Sequence, residues 1–263
     1  MNILEAFLYG IVQGITEFLP VSSSGHLTLF GRILGTDEAA MLSFTTMLHM
    51  GTLIAVFIVM YKEIAAILRD LFGARTWQLL VATIPAIVAA LLLGDWLDQL
   101  FGGDLLGYSF MLTGIILATS LLFKPRSLVR EIGYREALLA GIGQAVAIAP
   151  GVSRSGTTLT ALLLAGVDRE QAIRFAFLMS IPAILGGFAL DVYHMIQGEG
   201  AALLSFGVGN ILVGVAAAAL SGWLAMEFML RKLNRRGILW CAIYVLVLGI
   251  LILIDQTFVH LVF

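Results

Sequence analysis

Apolar residues fill this chain in long blocks, and the blocks set out its elements. Six of them, at 45–61, 77–94, 105–123, 175–191, 205–227 and 238–255, approach the roughly 20 residues a helix needs to cross a bilayer, and each is predicted as a spanning helix. Two further apolar regions are interrupted by polar residues and turn formers. Residues 4–34 are broken by Pro20-Val-Ser-Ser-Ser-Gly25, and residues 136–166 by Pro150-Gly-Val-Ser-Arg-Ser-Gly156. A piece of about 11 to 16 residues reaches only about 16–24 Å at about 1.5 Å per residue, too short to span. Each broken region is therefore predicted as a re-entrant hairpin of two half-helices. Non-helical backbone at membrane depth needs protein or a wet cavity to satisfy its polar groups, so both breaks predict a polar site inside the membrane.

Composition agrees with that pattern and narrows the class. Of 263 residues 60% are hydrophobic and 12% charged, with a net charge of −2, and the mean hydropathy is +1.01. Soluble domains carry about 25% charged residues. Disorder and a basic nucleic-acid binder are excluded. The fold class expected is an all-α polytopic membrane protein in one domain, residues 1–263. Nothing before the first apolar run reads as a signal peptide. The single cysteine, Cys241, leaves no intrachain disulfide and no cysteine-based metal site.

Basic residues set an orientation. Lys62, Arg69, Arg75, Lys124, Arg126, Arg130, Arg135, Arg169, Arg174, Arg231, Lys232, Arg235 and Arg236 are thirteen of the fifteen, and they share one side if six spans alternate and both hairpins return to their own side. The opposite loops hold Asp95, Asp98, Asp104 and Glu199 and no Lys or Arg. The positive-inside rule then puts both termini outside. Trp77, Trp96, Trp223 and Trp240 lie near span ends, as interfacial aromatics do.

The chain also repeats itself. Shifted by 131 residues, Glu5, Ala6, Leu8, Gly10, Ile11 and Gln13 fall on Glu136, Ala137, Leu139, Gly141, Ile142 and Gln144. Val21, Ser22, Ser24 and Gly25 fall on Val152, Ser153, Ser155 and Gly156, making ten matches across positions 5–25. Gly35, Asp37, Phe44 and Phe57 continue the match onto Gly166, Asp168, Phe175 and Phe188, after which it fades. Repeat 1 covers about 1–131 and repeat 2 about 132–263. An odd number of spans between the hairpins makes this an inverted-topology repeat, whose broken helices usually meet near the midplane.

The breaks carry the candidate chemistry. Gln13 and Glu17 stand four apart on one helix face, followed by Ser22, Ser23, Ser24 and His26. The second break supplies Ser153, Arg154, Ser155, Thr157 and Thr158. Hydroxyls and free N–H groups at helix starts bind anions, and arginine binds phosphate bidentately. Phosphate is the anion this set suits best. Serines 22–24 alone read as helix caps; matching serines at 153 and 155 favour a site. Arg154 costs at least about 2.5–3.5 kcal/mol at membrane depth and has no acid beside it in sequence. His49 stands open between packing and support of the site. His194, His260, Asp191 and Asp255 read as solvated span ends, and Phe101-Gly-Gly-Asp104 as a turn.

The runs Gln13-Gly-Ile-Thr-Glu-Phe-Leu-Pro-Val-Ser-Ser-Ser-Gly-His26 and Pro150-Gly-Val-Ser-Arg-Ser-Gly-Thr-Thr158 closely resemble the two signature motifs of the undecaprenyl-diphosphate phosphatases, the bacitracin-resistance proteins. The resemblance extends over essentially the whole chain. It implies a multi-pass enzyme of the bacterial inner membrane, its active site on the extracytoplasmic side. The enzyme removes the terminal phosphate of a C55 polyprenyl diphosphate and so recycles the lipid carrier of peptidoglycan synthesis. The resemblance also implies a divalent cation, Mg2+ or Ca2+; Glu17 is expected to hold it or to orient His26. By motif position it assigns function to Glu17, Ser23, His26, Ser153, Arg154, Ser155 and Thr158; Gln13, Ser22, Ser24 and Thr157 join them as substrate-binding candidates. Many members carry a second carboxylate where this chain has Gln13. Ser23 is expected as nucleophile with His26 as its base; His26 as nucleophile, or as activator of water, is the open alternative. Partners expected are the polyprenyl diphosphate and membrane lipid, not nucleic acid, with a homodimer left open. Inverted repeats of broken helices also occur in secondary transporters, so a polyprenyl-phosphate or anion transporter is the competing expectation.

Overall fold

The structure, a computed structural model, describes residues 1–36, 38–98, 104–122, 131–194 and 206–263. Among these residues all regular structure is helical. Helix α1 (Ile3–Phe18) runs to the first break and α2 (Ser23–Leu34) leaves it. Helix α3 (Glu38–Val59) is followed, across a 79° bend at Met60, by the short α4 (Tyr61–Arg69). Helices α5 (Ala74–Asp98) and α6 (Leu106–Leu122) complete the first half. Helices α7 (Tyr134–Val146) and α8 (Arg154–Leu164) flank the second break. Then come α9 (Arg169–His194), α10 (Val208–Lys232) and α11 (Arg235–Ile254), the last ending in a π-turn at Asp255–Val259.

Among the described residues, four stretches are long and apolar enough to cross a bilayer: Ala74–Leu93, Arg169–Leu190, Val208–Lys232 and Arg235–Val259. Counting the bent pair α3–α4 as one raises this to five, and α6 is a shorter apolar helix of 17 residues. Large apolar side chains point outward from these helices, among them Leu91, Leu92, Ile115, Leu212 and Ile250. In water such a surface drives aggregation; in lipid it faces its own kind. The chain is an all-helical, multi-pass membrane protein.

All six predicted segments fall largely within helices, with changed boundaries. The run at 45–61 stops at Met60, where the chain turns, and Lys62 and Arg69, counted above only among the basic residues of one side, belong to α4. Its charges mask an amphipathic period: Ile64 and Ile67 pack against the core, while Glu63 meets Arg174 of α9 at 2.5 Å. Asp37, the turn residues Phe101, Gly102 and Gly103, the basic residues Lys124, Arg126 and Arg130, and Glu199 lie outside the described residues. So do the side chains of Asp95, Trp96, Asp98, Asp191 and His194.

The four helices at the breaks have 16, 12, 13 and 11 residues, in chain order. Helices α1 and α7 start alike. Asn2 and Glu5 form a reciprocal cap, and Glu136 accepts from the Gly133 N–H at 3.0 Å. Each then packs on a long helix of the opposite half, α1 on α10 and α7 on α5. Glycine permits the approach: a Cβ on Gly10 would overlap the Gly214 carbonyl, and one on Gly14 the Ser221 hydroxyl. A Cβ on Gly141, the repeat partner of Gly10, would overlap the Ala82 carbonyl and Pro85 of α5. Small residues facing each other let helix backbones meet where lipid supplies no hydrophobic drive. Helix α6 packs on α11, and α3 on α10, α9 and α1. The two breaks thus come to lie beside each other.

Candidate active site

Both breaks end in a serine that starts the next helix. Ser22 caps α2, its hydroxyl accepting from the Gly25 N–H at 3.2 Å; Ser153 caps α8 in the same way, from Gly156 at 3.1 Å. Ser22 sits at φ 74°, a left-handed conformation costing a non-glycine residue about 1–3 kcal/mol. The surroundings hold it there. Ser24 accepts from the Gly151 N–H at 3.4 Å, Ser155 donates to the Leu19 carbonyl at 2.9 Å, and Ser153 N–H donates to Thr113 of α6 at 3.0 Å. Each break is tied to the other.

Between them lies a cavity of about 190 Å³. The first half lines it with Thr16, Glu17, Ser22, Ser23 and Ser24; the second with Ala147, Val152, Ser153, Arg154 and Ser155; His49 of α3 joins them. It is smaller than the ~300–1,000 Å³ that holds a drug-sized ligand, and suits a head group rather than a long chain. The starts of α2 and α8 both face it, and the positive end of each helix dipole favours an anion there.

Glu17 is the hub. One carboxylate oxygen pairs with the Arg154 guanidinium. The other accepts from Ser23 Oγ at 2.5 Å and Gln13 Nε2 at 3.1 Å, and faces His49 Nε2 at 3.5 Å. Arg154 thus has its acid, 137 positions away. Leaving either charge alone at this depth would be strongly destabilising.

The other candidates divide. Ser22, Ser24, Ser153 and Ser155 line the cavity. Gln13 is fully buried behind Glu17, and its Oε1 has no hydrogen-bond partner. Thr157 and Thr158 are buried in α8, and both hydroxyls donate to the Arg154 carbonyl, at 3.0 and 2.8 Å. His26 stands apart from Ser23 and Glu17. Its Nδ1 lies 2.7 Å from the Ser22 carbonyl and its Nε2 2.7 Å from the Tyr244 hydroxyl of α11. The ring stacks on Tyr244 and meets Phe110 edge-on. Thr16, Thr113 and Tyr244 were not singled out from sequence. Their only signal is contact across helices, which the order of residues does not carry.

Divalent cations take oxygen ligands, usually several carboxylates or waters. Among the described residues no three His, Cys, Asp or Glu side chains gather as a metal cluster. Glu17, and Gln13 Oε1 if the amide turned toward the cavity, are the oxygens that would hold a cation, with phosphate and water supplying the remaining ligands.

Fold and site together define a polytopic helical membrane protein with a polar cavity between two paired helix starts. The family described as "Bacitracin resistance protein BacA" matches residues 6–251. The chain belongs to that family. Over 97% of its length it is 39% identical to the "Undecaprenyl-diphosphatase" of Carboxydothermus hydrogenoformans and 42% identical to "Undecaprenyl-diphosphatase 3" of Bacillus cereus, covering 98% of each. Over 95% of its length it is 38% identical to the "Undecaprenyl-diphosphatase" of Parabacteroides distasonis, covering 97% of that protein.

Proposed function

We infer that this protein is an integral-membrane phosphatase that hydrolyses undecaprenyl diphosphate to the monophosphate and inorganic phosphate. It thereby recycles the lipid carrier of cell-wall synthesis and gives bacitracin resistance. The names of its relatives favour hydrolysis over transport. The observation that carries the chemistry is the contact of Ser23, Glu17 and Arg154 at two facing helix starts.

Arg154 keeps further N–H donors besides the one given to Glu17 and clamps the diphosphate with them. The N–H groups at the starts of α2 and α8 add to the clamp. Ser23 Oγ is the nucleophile and Glu17, 2.5 Å away, its base. Glu17 fills the role that sequence suggested for His26, because the His26 ring nitrogens are directed at Ser22 and Tyr244. The proton passes to Glu17 as Oγ attacks the terminal phosphorus. The anhydride P–O bond breaks, and the bridging oxygen leaves with the lipid monophosphate, taking that proton. Water, deprotonated in turn by Glu17, then hydrolyses the phosphoserine. A cation bound at Glu17 and Gln13 would supply neutralisation of diphosphate charge.

The topology proposed is six spans and two re-entrant hairpins in an inverted repeat, with both termini and the site outside the cytoplasm. The reciprocal packing of α1 on α10 and α7 on α5 supports it. Rapid quench of purified protein with substrate labelled in the terminal phosphate tests the mechanism. Label on Ser23 is expected; label on His26, or on neither, overturns the serine nucleophile.

A further inference from the structure

His49 enters the site from α3, outside both breaks, at a position the internal repeat does not match. Its repeat partner, Ser180, merely bonds its own helix at the Phe177 carbonyl. His49 Nδ1 lies 2.8 Å from the Thr45 carbonyl one turn back. A carbonyl only accepts, so Nδ1 carries a hydrogen; Nε2, facing a carboxylate oxygen, carries the other, so that the ring is an imidazolium pinned with its Nε2–H toward the cavity. There Nε2 stands 3.5 Å from the same Glu17 oxygen that accepts from Ser23.

That oxygen has a competing place to go. A guanidinium and a carboxylate favour two parallel bonds, and Arg154 already holds the first Glu17 oxygen. Rotation of the carboxylate into the Arg154 fork would take the second oxygen away from Ser23. Gln13 and His49 hold it back from the other side, Gln13 from within Glu17's own helix and His49 from a separate one.

We propose that His49 is a positioning residue of the phosphatase reaction, its Nε2 donor keeping the Glu17 carboxylate turned toward Ser23 and out of a bidentate pair with Arg154. The proposal rests on the Ser23–Glu17 reading above. It places the loss in the chemical step, because Arg154 and the helix starts bind the diphosphate without His49.

The test is steady-state phosphate release by detergent-purified full-length variants, with monodispersity and thermal melting as checks of folding. His49→Ala is expected to lower kcat by about 10- to 100-fold, the effect of a small misplacement of a reacting group, and to leave KM within about twofold, as for an interaction made in the transition state alone. His49→Gln, whose amide N–H restores a donor, is expected to recover most of kcat. In a Glu17→Gln background His49→Ala is expected to cost nothing further. Wild-type kcat in His49→Ala beside an inactive Ser23→Ala overturns the role of His49 alone. Equal loss in His49→Ala and His49→Gln, both folded, overturns it as well, since the donor is then not what matters. Full activity in Ser23→Ala overturns the underlying reading instead.

Discussion

Arg154 and Glu17 make each other tolerable, and neither is replaceable in kind. Arg154→Lys keeps the charge but loses the planar fork that grips Glu17 and a phosphate at once. Loss of a donor to developing charge commonly costs about 10²–10³ in rate. We expect that fall in phosphate release with the protein still folded; near-wild-type release removes the clamp from the mechanism. Ser23 and Glu17 should behave as one unit. The Ser23→Ala/Glu17→Gln double variant is expected to be about as slow as the slower single variant, as within other catalytic sets, whereas multiplicative losses would separate their roles. If a cation binds as proposed, Gln13 would set how much of it is needed. Its Oε1 is buried without a partner, and Gln13→Glu adds a charge at that spot. The cation concentration for half-maximal activity is then expected to fall, and an unchanged value means that position 13 is not a ligand.

At the scale of elements, the site depends on how closely α1 and α7 approach α10 and α5. Gly10 and Gly141 are points of close approach, and a methyl at either meets backbone that has no room to yield. Overpacking of this kind costs about 1–3 kcal/mol. Gly10→Ala and Gly141→Ala are expected to lower the melting temperature in detergent. Gly187 of α9 is the control, because a Cβ there meets nothing within 4 Å. Alanine is the better helix former by about 0.8–1.0 kcal/mol, so Gly187→Ala is expected to leave the melting temperature unchanged or raise it. A drop at Gly187 equal to that at Gly10 would show that packing is not the cause.

For the molecule as a whole, the two halves exchange partners, and each break is braced from the other half. In the inverted repeat proposed above, the two helix starts lie head to head, so that one anion would meet both. On the proposed topology the C-terminus would lie outside the cytoplasm. A reporter active only in the cytoplasm, fused after Phe263, is therefore expected to stay silent in cells that make the fusion in full. A strong signal reverses the orientation and the side on which the site opens.

Much of this was legible in the order of residues. Spans appear as apolar blocks because lipid leaves a helix no other solvent-facing choice. The breaks appear as proline, glycine and serine runs, and the repeat as matches between Ser22 and Ser153 or Gly10 and Gly141. These are properties of neighbours in sequence or of a constant shift, and they brought Glu17, Ser23 and Arg154 into view as candidates. The partnerships depended on tertiary structure. Nothing in the sequence pairs Glu17 with Arg154, brings His49 from α3 into the cavity, or turns His26 to a tyrosine 218 positions away. Helix α4 was hidden too, because its charges mask a short amphipathic period. The reason is physical: a helix's apolar face is determined by its own residues, whereas its rotation and depth against a neighbour are settled by packing at glycines on both. A side chain's partner within the membrane follows from that packing.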